Sequence, residues 1–123
     1  MGTMRNVAAP HVDFYELSGV IEENPRFLPS NIDMVYERKG WFLIGEWKRE
    51  GEKLSTGQEI LLRRLSQVDH FRVLLITGDT DNGMNVTKIQ KFTKNGLIET
   101  VGESVEDLKG LVRRWYAYVK SKT

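Results

Sequence analysis

The 123-residue chain contains no cysteine, which excludes a disulfide framework, a thiolate nucleophile and a zinc site built on sulfur. A reducing, intracellular setting follows naturally. Long apolar runs are missing as well. None approaches the roughly 18 residues of a membrane span, and the opening MGTMRNVAAPH has no extended apolar core of the kind a secretory signal needs. The expectation is a cytoplasmic protein with no membrane partner. Neither sign of charge dominates, since 18 Lys and Arg face 17 Asp and Glu. Without a global basic field, a polyanion has to be met by a local patch. Length points to one domain, 1–123, large enough for a core without covalent staples. Residues 1–10 mix small and polar types without periodicity and read as a flexible arm.

What is present is a succession of amphipathic and apolar segments. Phe14, Leu17 and Ile21 fall at helical spacing and predict a short helix over residues 11–23, stopped by Asn24 and Pro25. Residues 32–37 and 41–48 are rich in β-branched and aromatic types around Arg38-Lys39-Gly40, the signature of a hairpin. The second strand is apolar on both faces, with Trp41, Leu43 and Trp47 on one side and Phe42 and Ile44 on the other, so it is predicted to be covered on both. A helix over 56–68 follows, with Leu61, Leu65 and Val68 as its inward stripe, and then FRVLLITG, the most apolar run, as a buried strand. DTDNG reads as a turn rather than a calcium loop, because its Gly is misplaced and the bidentate Glu is missing. NVTKIQKFT and NGLIETV make a second hairpin turning near 94–96, and Ser104 with Asp107 caps a final helix. The predicted order is helix, two strands, helix, strand, hairpin, helix. That is an α/β fold, a mixed sheet flanked by helices.

Four residues in the first hairpin and the following helix carry candidate chemistry. Glu46 and Lys48 alternate along one strand and share a face, with the Trp47 carbonyl between them. If Lys39 and Gly40 form a two-residue turn, Asp33 lies opposite Glu46 on that same face. A three-residue turn places it opposite Gly45, on the wrong face. Two carboxylates ~5 Å apart across a strand pair are hard oxygen ligands suited to Mg2+ or Mn2+. A bound divalent ion lowers the pKa of a water and stabilises the charge that develops when a phosphodiester is cut. A lysine beside it orients or helps deprotonate that water. E-x-K triplets are also common on solvated strands, and Glu37 with Lys39 reads as a polar turn. Gln58 has two readings: capping partner in Ser55-Thr56-Gly57-Gln58, or an amide turned toward the sheet on the face shared with Leu61 or Leu62 and Leu65.

The order Asp33, then Glu46-Trp47-Lys48, then Leu54-Ser55-Thr56-Gly57-Gln58 opening a helix, then FRVLLITG, resembles the PD-(D/E)XK nuclease superfamily. The LSTGQ run is especially similar to its virus-type replication-repair nuclease and junction-resolvase branch. The resemblance covers roughly residues 12–77 and the α-β-β-α-β core order. It implies a restriction-endonuclease-like core and a Mg2+-dependent deoxyribonuclease of bacterial or phage DNA replication, recombination or repair, working in the cytosol. It also implies roles: Asp33 and Glu46, with the Trp47 carbonyl, as metal ligands, Lys48 assisting the nucleophile and Gln58 orienting the site. The name-giving Pro-Asp pair is here Ile32-Asp33, with Pro29 further upstream. Many members add a glutamate from the first helix, a part open to Glu16 or Glu22.

For DNA, Arg49 and Lys53 follow the E-x-K strand directly and are the expected phosphate contacts. Arg113 and Arg114 beside Trp115, Tyr116 and Tyr118 suggest a surface for single strands, although the core stripe of a terminal helix explains the aromatics more simply. Cutting both strands at once needs two such sites, hence a homodimer. Two other readings stay open: a non-catalytic nucleic-acid-binding module on the same fold, and a small α+β interaction protein in which Asp33, Glu46 and Lys48 form a structural ion pair.

Overall fold

The structure, a computed structural model, describes residues 14–122. The chain divides into two compact units, Met1–Asn31 and Ile32–Thr123.

The first unit corrects the predicted helix. Its described part holds a single 3-10 turn, Tyr15–Leu17. Gly19 adopts φ of +77° and donates its N–H to the Pro25 carbonyl at 2.9 Å. A left-handed residue ends helical geometry, and this bond to a residue six positions on closes a loop instead of a second helical turn. Leu17 and Ile21, the expected inward positions, are exposed. The arm at 1–10 and the start of the predicted helix at 11–13 lie outside the described residues.

In the second unit five strands form one sheet in the order β1-β2-β3-β4-β5: β1 Met34–Arg38, β2 Trp41–Lys48, β3 Phe71–Asp79, β4 Asn85–Phe92 and β5 Ile98–Gly102. All neighbours are antiparallel except β2 and β3. A parallel pair needs a crossover connection, and the segment carrying α1, Thr56–Ser66, supplies it. Helix α2, Val105–Ser121, closes the chain. The expected mixed sheet with helices is therefore present. β2 has the predicted span and is covered on both faces: Ile44 packs with Leu62, Val73, Leu75 and Phe92 on the α1 side, Leu43 with Leu74, Ile76, Ile89 and Trp115 on the α2 side. FRVLLITG forms the middle strand, buried from Val73 to Gly78.

Helix α1 departs from expectation at its end. It stops at Ser66, so Val68 falls beyond it and is exposed, and the buried position is Leu62 rather than Leu61. The inward face runs through Leu62, Leu65 and Ser66, with Leu54 completing the layer. At α2, Ser104 accepts the Asp107 N–H at 3.1 Å while the Asp107 carboxylate accepts that of Glu103 at 2.8 Å. The first bond satisfies a donor the helix start leaves open, and the second ties the residue before the cap to the first turn.

The β3–β4 register shifts at Thr77 and Gly78, where a Cβ at Gly78 would lie 1.9 Å from the Asn85 carbonyl oxygen. Only glycine fits so close a backbone approach. Gly78→Ala is expected to lower the unfolding free energy in urea titrations by more than about 2 kcal/mol. Gly57→Ala, in α1 with open space around its Cβ position, is expected to raise it by about 0.5 kcal/mol.

Candidate active site

The site begins with a turn. Arg38 pairs with Trp41, leaving Lys39 and Gly40 as a two-residue loop with φ of +52° and +84°. Positive φ at both positions is the type I′ geometry whose twist matches a hairpin. Glu37 supports it by accepting the Gly40 N–H at 2.9 Å. With Met34 opposite Gly45, the residue before β1, Asp33, falls opposite Glu46. Its carboxylate accepts the Trp47 N–H at 2.9 Å, standing where a longer β1 would offer a backbone carbonyl. Its own N–H reaches Glu46 Oε1 at 3.4 Å.

Glu46 is only 5% exposed, a carboxyl inside a sheet face otherwise filled by Ile44, Leu75 and Leu62. Burial, and next the negative charge of Asp33, push its pKa from 4.5 up to about 7. Its other oxygen, Oε2, accepts from Gln58 Nε2 at 3.0 Å. The two readings of Gln58 hold together, because its amide has two ends. Ser55 Oγ accepts the Gln58 N–H at 3.2 Å, and Gln58 Oε1 faces the Ser55 N–H at 3.4 Å, which completes the capping box, while Nε2 turns to the sheet. The cap thereby sets the angle at which α1 presents its amide to Glu46.

Lys48 shares the Glu46 face, and its ammonium donates to the Glu52 carbonyl at 2.9 Å rather than to either carboxylate. The structural ion pair of Asp33, Glu46 and Lys48 is therefore not formed. Beside Lys48 in the parallel register is Thr77, 1% exposed, whose hydroxyl has no hydrogen-bond partner among the described residues. The sequence reading missed it. The available signal was alternation, which places Thr77 on the face of Val73 and Leu75 at the end of the strand.

Arg49, an expected phosphate contact, is engaged by a carboxylate. Its guanidinium holds Asp81 through two bonds of 2.9 and 3.2 Å, and the Asp81 carboxyl is held below its usual range by that contact. Both side chains are well exposed, so the pair is a weak, solvent-screened tie. Lys53 is exposed on the same connection, and Glu16 and Glu22 are exposed in the first unit. Of the α2 aromatics, Trp115 alone joins the core, whereas Tyr116 and Tyr118 are exposed. The Arg38 guanidinium lies 3.9 Å over the Tyr116 ring.

Among the described residues no group of three or more His, Asp or Glu side chains is placed to hold a metal ion. The donor set brought together is the Asp33 and Glu46 carboxylate pair. Its chemistry fits magnesium, which keeps several waters and takes one or two carboxylates plus substrate phosphate oxygens. The raised Glu46 pKa and the unpartnered Thr77 hydroxyl mark the same strand ends as electrostatically unfinished. Comparison with protein-family models, curated proteins and solved structures finds no match for this chain.

The folded protein holds the Glu46 proton up to about pH 7, whereas the unfolded chain releases it near 4.5. Folded protein therefore binds more protons in that window, and stability falls as pH rises through it. Without divalent ions the loss is expected to be on the order of 3 kcal/mol, and Glu46→Gln should flatten the slope. Thermal melts from pH 4 to 8 test this. Magnesium should raise Tm at pH 7.5 and leave it nearly unmoved at pH 5, and a Tm indifferent to magnesium at both would remove the metal-site reading.

Proposed function

We propose that this protein is a magnesium-dependent nuclease of the PD-(D/E)XK kind, hydrolysing DNA phosphodiester bonds on a restriction-endonuclease-like core. The observation that carries the reading is the meeting of three elements at one carboxyl: Asp33 ahead of β1, Glu46 on β2 and Gln58 on α1, joined by hydrogen bonds of 3.4 and 3.0 Å. A charge inside an apolar sheet face is costly, and a site that needs hard oxygen ligands gives it a purpose.

Asp33 and Glu46, with the Trp47 carbonyl, would hold the ion, and Mn2+ has the same ligand preferences. When bound, it activates a water and neutralises charge building on the phosphate. Gln58 fixes the direction of the Glu46 carboxylate from behind, as a supporting hydrogen bond does for a ligand. Lys48, on a four-carbon stem, exchanges the Glu52 carbonyl for the attacking water or a phosphate oxygen. Arg49, leaving Asp81, and Lys53 take neighbouring phosphates. Cleavage of both strands together calls for a homodimer, and replication, recombination or repair in a bacterial or phage-infected cytoplasm is the setting in which such an enzyme works.

The test is incubation with linear, nicked and branched DNA plus Mg2+ or Mn2+. Glu46→Gln and Lys48→Ala are expected to reduce cleavage at least about a hundredfold, and Gln58→Ala about tenfold. Activity undiminished in Lys48→Ala would identify a contaminant. Binding that weakens steeply with salt, without cleavage by the unaltered protein, would identify a nucleic-acid-binding module instead.

A further inference from the structure

The α2 face of the sheet, opposite the carboxylates, carries a cavity of about 300 Å³. Its base is apolar, formed by Leu43 and Leu74 of the sheet with Leu111 of α2. Three cations also line it, one from each wall: Arg72 on β3, Lys91 on β4 and Arg114 on α2. The register holds the first two in place, since Arg72 is paired with Leu43 and Lys91 with Leu74. Among the described residues no carboxylate lines the cavity. Among the described residues none of the three cations is in an ion pair, although Glu99 stands opposite Lys91 in the β4–β5 register. Arg72 is instead held by an aromatic face, 5.0 Å from the Tyr118 ring.

Arg114 has a built-in place. Helical side chains lean toward the helix N-terminus, so Arg114 covers the turn at residue 110. That residue is glycine, and a Cβ there would come within 3.2 Å of the guanidinium. Glycine in a helix interior weakens the helix, and here its bareness makes room for the cation beside the cavity. Trp115, another lining residue, has a buried indole N–H with no hydrogen-bond acceptor among the described residues. The walls are rich in cations and poor in acceptors.

We propose that this cavity is a binding site for a small amphipathic anion, a carboxylate on a compact apolar body. The apolar base takes the body by the hydrophobic effect. The two guanidiniums and the ammonium hold the carboxylate through charge-assisted hydrogen bonds, the guanidinium fork matching its two oxygens. A nucleobase is a poor occupant because it presents donors as well as acceptors, and the lining side chains offer little to receive them. At the small end of ligand pockets, the volume suits one compact molecule rather than a polymer. The site shares no residue with Asp33, Glu46, Lys48 or Gln58, so it stands or falls independently of the nuclease reading.

The test is isothermal titration of the full chain with octanoate and 2-naphthoate, which separate an alkyl from an aryl body, each against its uncharged alcohol. At least one acid is expected to bind about tenfold or more tightly than its alcohol. Arg72→Ala and Arg114→Ala should each weaken it by about tenfold, with circular dichroism and Tm unchanged. Acid and alcohol binding equally, neither acid binding at millimolar concentration, or arginine variants that bind like the unaltered protein would each overturn the proposal. So would oligothymidylate occupying the site where the acids do not.

Discussion

The position of Asp33 depends on the backbone of two residues, Lys39 and Gly40. Their positive φ values make a two-residue hairpin loop. Because side chains alternate faces along a strand, one more residue in the loop would move Asp33 opposite Gly45 and turn its side chain away from Glu46. Lys39 bears a cost for this, since a non-glycine residue in left-handed geometry is disfavoured. The Glu37 carboxylate on the Gly40 N–H offsets part of it. A local turn preference is thereby converted into the meeting of two carboxylates at the far end of the hairpin.

Once there, Glu46 sets the electrostatics of the strand ends. It is more deeply buried than an unpaired carboxylate ordinarily is, and both burial and Asp33 favour its protonated form. The folded state tolerates it through Gln58, whose amide serves the helix cap with one end and the carboxyl with the other. Fold and site are coupled at that amide, because the bonds that start α1 also aim it. The sheet does the remaining positioning: the parallel β2–β3 pair brings Thr77 beside Lys48, and the crossover carrying α1 packs Leu62 over the same face.

The two faces of the sheet have different characters. On the α1 side the layer closes over Ile44, Val73 and Leu75, and polarity gathers at the strand ends. On the α2 side the packing is incomplete, leaving a cavity with Leu43, Leu74 and Leu111 at its base and cations around it. Alternation along β3 produces both at once, since Arg72 and Leu74 face one helix while Val73 and Leu75 face the other.

Local chemistry by itself determined β2, β3, both hairpins and the cap of α2. Continuous apolar runs, a Lys-Gly turn and a Ser-x-x-Asp start are each decided by residues adjacent in sequence, so neighbours in the chain suffice to read them. The loop at 14–23 defeated the same method, since Phe14, Leu17 and Ile21 carry helical spacing but the Gly19 bond to Pro25 belongs to a closed loop. Likewise the choice of Leu62 over Leu61 awaited the angle at which α1 meets the sheet. Only the tertiary structure decided that Gln58 both caps and reaches Glu46, that Lys48 rests on Glu52, that Arg49 holds Asp81, and that three cations from β3, β4 and α2 line one cavity. Apart from the Lys48–Glu52 bond, made within one short connection, each of these depends on distances between segments far apart in sequence, and such distances are fixed by packing rather than by any local pattern.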